Sequence, residues 1–164
     1  MGLFDSGSEE PRSKLRRYVL SGLALVALVV LTGWYLLRFQ AEKKTVARFF
    51  DAVAAGDTEK AYGIWKVGKS YKSQSAAEIW KPGQSYSYQD FLEDWGPSGY
   101  YGPVKSYRIA TAQAAPKGGS GVIVAVEVSP YTAFPDEKDV EKNRKTKEVR
   151  IWAERKDQSL SFPP

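Results

Sequence analysis

The sequence predicts an α+β protein: one N-terminal transmembrane helix, followed by a single small domain with helices packed on a curved antiparallel sheet. Three observations carry this. Twenty residues from Tyr18 to Leu37 hold no charge, apolar residues recur at helical spacing between Ala41 and Trp95, and the pattern turns to alternation beyond Gly96-Pro97. About 38 residues belong to the tail and the apolar run, which leaves enough chain for one self-supporting core.

The apolar run, YVLSGLALVALVVLTGWYLL, spans about 30 Å as a helix, the thickness of bilayer hydrocarbon. A cleaved signal peptide would end in small residues, whereas this run ends Trp34-Tyr35-Leu36-Leu37-Arg38, bulky and then basic. Arg16, Arg17 and Tyr18 at one end, with Trp34, Tyr35 and Arg38 at the other, mark the expected membrane interfaces. Arg12, Lys14, Arg16 and Arg17 favour a cytoplasmic tail; Arg38, Lys43, Lys44 and Arg48 match them in number beyond the helix. Length breaks the tie, because a long C-terminal domain translocates largely regardless of charge. The expected layout is a cytoplasmic basic tail over 1–17, a single pass of the inner membrane over 18–37, a juxtamembrane start of the first domain helix over 38–45, and a periplasmic or other extracytoplasmic domain over 46–164. Met1-Gly2-Leu3-Phe4-Asp5-Ser6 fits a loose myristoylation pattern, but a full membrane helix leaves an acyl chain little to add. Gly22 and Ala24 permit close approach of a second helix, so self-association stays open.

In the domain, Val46, Phe49, Phe50 and Val53 form one apolar stripe on a helix over Ala41 to Ala55, which Gly56 ends. Asp57 caps a second helix from Thr58 to about Trp65. Ser75-Ala76-Ala77-Glu78 and Ser87-Tyr88-Gln89-Asp90 are capping boxes that open two short helices. Residues 104–114 read as a strand with Tyr107 and Ile109 on one face. A turn from Pro116 to Gly121 leads to a second strand carrying Val122, Val124, Val126 and Val128. Val149, Ile151 and Ala153 mark a third strand, and Leu160 and Phe162 a short fourth reached through Lys156-Asp157-Gln158.

The chain has no Cys and no His. Disulfides, zinc fingers, iron–sulfur clusters, thiol nucleophiles and His-based acid/base chemistry are therefore excluded together. After the apolar run, 20 Lys and Arg stand against 16 Asp and Glu with the signs interspersed, a weak footprint for nucleic acid. No nucleic-acid partner is expected.

The segment VARFFDAVAAGDTEKAYGIW, then a capped helix at SYQDFLEDW and three or four strands, resembles the NTF2-like superfamily, and more narrowly its small membrane-anchored bacterial domains. The likeness covers about residues 41–163 and rests on element order and the helix pair. It implies a cone-shaped fold. Enzymes on that fold use Asp/His or Asp/Tyr sets inside the cone; this chain has no His, so the resemblance points to the non-enzymatic members.

Trp65, Trp80, Trp95 and Trp152, with a group of Tyr including Tyr100, Tyr101 and Tyr107, either fill the core or line a ligand cavity. Gly96 to Pro103 is an aromatic loop suited to a partner contact, or a plain connection. Asp90, Glu93 and Asp94 crowd one short helix, but Asp90 is explained by its capping box and the other two by solvent. Glu127 stands opposite the valines, where it pairs with Arg108 or Arg150; pointing inward, it would be the best single acid/base candidate. Asp136 to Lys147 carries nine charges in twelve residues and reads as a solvated excursion. The expected function is a membrane-tethered, non-enzymatic binding or assembly module contacting another membrane or extracytoplasmic protein, with no catalytic residues, metal or cofactor. The alternative is a small-molecule receptor or weak enzyme using the cone interior. Candidate cavity or contact residues are Trp65, Trp95, Tyr100, Tyr101, Tyr107 and Glu127.

Overall fold

The computed structural model describes residues 10–116, 118–133 and 145–164, and the chain divides into two compact units, Met1–Arg38 and Phe39–Pro164. The first unit is helix α1 (Glu10–Leu37), which is long and apolar enough to cross a membrane. It begins ahead of the uncharged run, so Arg12, Lys14, Arg16 and Arg17 lie on the same helix. At its end the Arg38 guanidinium sits 4.5 Å from the Tyr35 ring centroid, a cation over an aromatic face. The myristoylation pattern at Met1 to Ser6 lies outside the described residues.

The second unit is α+β. Helices α2 (Gln40–Ala54), α3 (Thr58–Val67), α4 (Ala76–Ile79) and α5 (Tyr88–Trp95) precede four strands, β1 (Ser106–Ala114), β2 (Gly121–Ser129), β3 (Lys147–Glu154) and β4 (Leu160–Ser161). A 3-10 turn over Gly68–Ser70 follows α3. The strands form one antiparallel meander in the order β1-β2-β3-β4.

Local signals set the helix starts. Asp57 accepts the Lys60 N–H at α3, and Ser75/Glu78 and Ser87/Asp90 each form a complete capping box. The stripe on α2 is buried: Val46, Phe49 and Phe50 have no exposed surface. It packs against the inner face of the sheet, where Val122, Val124, Val126 and Val128 lie beside Val149, Ile151 and Ala153. Burying that many branched side chains on one face is what holds the two layers together, at about 2 kcal/mol per residue before the entropy of ordering is subtracted.

Strand β1 departs from simple alternation. A register shift between Ile109 and Thr111 leaves Ala110 as an extra residue, so Tyr107, Ile109 and then Ala112 turn toward the helices. The opposite sheet face is polar, with Arg108, Thr111, Gln113, Glu148 and Arg150 exposed. The charged stretch is only partly placed, since residues 136–144 lie outside the described residues. Its last residue corrects the expectation of a solvated excursion: Lys147 opens β3 opposite Val128 and is 1% exposed, because the register aims it at the inner face.

Candidate functional site

The rings contributed by helices, loop and C-terminal segment meet in one place. Trp65 from α3 and Trp95 from α5 lie 5.9 Å apart, centroid to centroid, and each packs on Phe49 of α2 at 5.3 and 5.0 Å. Tyr101, from the loop after α5, stacks on Trp95 at 4.4 Å. Phe162, just past β4, enters between them: 4.9 Å from Trp65, 5.4 Å from Tyr101, 6.0 Å from Tyr86 and nearly parallel to Trp95 at 6.3 Å. These rings pack on one another, with Trp65 and Trp95 buried and Tyr86, Tyr101 and Phe162 half-buried at the edge of the core.

Polar groups at the edge of this cluster are engaged in structure. Tyr86 donates its hydroxyl to Asp94 Oδ2 at 2.6 Å, and burial, followed by that bond, pushes its pKa far above the ordinary phenol value. Asp94 is therefore an acceptor for a neighbouring ring, not a solvated acid. Burial, aided by the Asp94 charge, pushes Tyr101 up to about 12. Asp90 is consumed by its capping box, accepting the Ser87 N–H at 2.7 Å, and its carboxyl is held below the usual range by that bond. Trp95 Nε1 is buried with no hydrogen-bond partner among the described residues.

The other sequence candidates fall elsewhere. Tyr107 stacks on Phe50 at 5.3 Å and reaches α2, donating to Asp51 Oδ1 at 2.6 Å and Ala47 O at 3.0 Å. It is a tie between sheet and helix. Glu127 faces away from the helices and pairs with Arg108 at 2.8 Å, while Arg150 pairs with Glu148 at 2.9 Å. This removes Glu127 as an interior acid, because its neighbours Val126 and Val128 occupy the inner face and alternation sends it outward. Among the described residues, no three His, Cys, Asp or Glu side chains gather as a metal-binding group.

No family model, curated protein or solved structure matches this chain.

Tyr100 is the site residue that remains at the surface, 38% exposed, edge-on to Tyr101 at 5.1 Å. Its loop is built onto the end of α5. The amides of Tyr100 and Tyr101 donate to Glu93 O at 2.8 Å and Asp94 O at 2.9 Å, and the Gly99 and Gly102 amides close turns on Gly96 and Gly99 at 2.9 and 2.8 Å. Gly102, at φ +71°, is packed so closely against Thr132 that a Cβ there would collide with its side chain. The loop is a preorganised platform. Among the described residues, a groove of about 430 Å³ is bordered by Trp65, Lys66, Ser85, Tyr86 and Phe162, and another of about 220 Å³ by Val53, Trp95, Pro97 and Pro103. Sequence reasoning missed two features here. Phe162 was read as strand, not as a half-buried ring packed on Trp65 and Tyr101, and Trp80, at 40% exposed, is a surface ring rather than part of the cluster.

Proposed function

We propose that the chain is a single-pass membrane protein whose domain, an NTF2-like cone outside the cytoplasm, works as a non-enzymatic binding or assembly module for another membrane or extracytoplasmic protein. The observation that carries this reading is the seating of Phe162 among Trp65, Tyr86, Trp95 and Tyr101. An interior occupied by the chain's own rings leaves recognition to the surface, and the fixed loop presenting Tyr100 is the surface best suited to it. The apolar length of α1 supports the anchor, and the four basic residues from Arg12 to Arg17 support a cytoplasmic N-terminus. A photo-crosslinking residue in place of Tyr100 tests the reading in intact membranes. Capture of one defined membrane protein, with no capture from the same residue placed at Thr111 on the exposed sheet face, is the expected result. Equal or no capture from both positions argues against it.

The groove of about 430 Å³ favours one rival, a small-molecule receptor in which the ligand lies against Trp65 and Tyr86. A ligand retained through purification, and lost on replacing Trp65, would move that reading ahead.

A further inference from the structure

The meander has two edge strands, and they differ. β4 is two residues long and its Leu160 is 4% exposed, so that edge is short and covered. β1 is nine residues long and none of its residues is fully buried. Even Tyr107, Ile109 and Ala112, which turn toward the helices, are only half-buried. Edge strands are commonly blunted by Lys, by Pro or by shortness, and β1 has none of the three. Its one charged residue, Arg108, is paired within the sheet to Glu127 at 2.8 Å.

The hydrogen bonds fix which backbone groups face the open side of β1. Gly121 O accepts from the Ala115 N–H at 3.1 Å and Ser129 O from the Lys105 N–H at 2.8 Å, so the first and last residues of β2 both face β1. β2 runs in unbroken register with β3, and alternation along it turns residues 123, 125 and 127 to the same side. Their partners there are Gln113, Thr111 and Arg108, and Ser106 lies opposite Ser129. Tyr107, Ile109, Ala112 and Ala114 therefore turn their amides and carbonyls to the open side, where no described residue bonds them.

Across the slip at Ala110 these four outward residues are spaced two, three and two positions apart. A regular strand offers its groups at every second residue and falls out of step at the slip. A second β1 laid antiparallel stays in step, because the spacing is the same read from either end. With the twofold axis between Ala110 and Thr111, Tyr107 faces Ala114 and Ile109 faces Ala112 across the axis, each a large side chain over a small one. Arg108 faces Gln113, so no like charges oppose.

We propose that β1 pairs edge to edge with β1 of a second copy of this chain, joining two four-stranded sheets into one of eight strands. The pairing does not rest on the Tyr100 loop and needs no partner there. Thr111 lies at the twofold axis, so a photo-crosslinking residue at that control position captures a second copy and no other protein. An edge contact is small, which makes the dimer concentration-dependent and not obligate.

The chain has no native Cys, so disulfides can test the register. Arg108 and Gln113 are exposed and meet at a non-hydrogen-bonded pair, where Cα atoms lie about 4.5 Å apart. Two copies of either position alone lie five residues apart along the strands, roughly 15 Å, too far to bridge. Full chains carrying Arg108→Cys or Gln113→Cys are oxidised in mild detergent, mixed and separately. A covalent dimer at least about fivefold more abundant in the mixture is expected. Equal cross-linking from either variant alone, or none from the mixture, overturns the pairing. Sedimentation equilibrium of the Cys-free chain gives a second reading. Ala112→Pro removes an outward N–H that β2 does not use, and should weaken dimerisation at least about tenfold with circular dichroism unchanged. A monomer at every concentration, or a dimer indifferent to Ala112→Pro, overturns the pairing; should that variant misfold, the disulfide result decides.

Discussion

Tyr101 lies flat on Trp95, ring centroids 4.4 Å apart and planes 14° apart, while its neighbour Tyr100 projects from the same loop with 38% of its surface exposed. Two adjacent tyrosines therefore have different duties. Tyr101→Ala removes a ring that touches Trp95 and Phe162 and should cost about 2 kcal/mol, whereas Tyr100→Ala should stay within about 0.5 kcal/mol. Urea unfolding of the two variants, followed by Trp fluorescence, checks the contrast; equal midpoints would place Tyr101 outside the packed cluster.

Tyr107→Phe deletes one hydroxyl and with it the bonds to Asp51 and Ala47 O. A loss of about 1 to 2 kcal/mol is expected, because one of the acceptors is a carboxylate. Asp51→Asn should cost less than Tyr107→Phe, since the amide oxygen still accepts. A double-mutant cycle on thermal unfolding measures the coupling.

The pH dependence follows from the capping boxes and the buried phenols. Glu78 and Asp90 are held below their ordinary values by bonds from Ser75 and Ser87. Their contribution is complete above the unfolded carboxyl range of about 4 and is lost as pH falls through the lower folded values. Glu78→Gln with Asp90→Asn should flatten the fall of the thermal midpoint between about pH 5 and 3. At the other extreme, the Tyr101 phenol, pushed up to about 12, stabilises fully below about 10 and ceases to do so as pH rises toward its folded value. Absorbance titration of the phenolates should show late-titrating tyrosines in the folded chain and none in urea.

Gly68→Ala places a side chain against the Gln158 backbone at a positive φ. A loss of about 2 kcal/mol or more is expected, with faster amide exchange across Lys156 to Ser159, as the turn separates from the 3-10 segment. An unchanged midpoint would mean that the two segments are not fastened there.

The parts of the fold legible in the sequence are those written locally. The capping boxes, the α2 stripe and the valine alternation of β2 each lie within one short window, and the structure places all three as read. The outward face of Glu127 was readable for the same reason, since strand alternation fixes the face, while the choice of Arg108 over Arg150 as its partner was not. Non-local choices were not. Nothing around Phe162 in the chain says that it meets Trp65, Trp95 and Tyr101, which lie more than 60 residues away in sequence. Lys147 closes a charged run and looked solvated, yet its register with Val128 buries it. The slip at Ala110 has no signature in composition, so the inward turn of Ala112 could not be read from alternation alone.

We propose recognition at the surface loop and not in an open interior. Gentle-detergent extraction of native membranes containing the C-terminally tagged chain, followed by mass spectrometry of what stays bound, tests it most directly. A membrane protein recovered in stoichiometric amount with the unsubstituted chain and lost with Tyr100→Ala is the predicted result. Recovery of the chain alone, with a small molecule held against Trp65 and Tyr86, would contradict it.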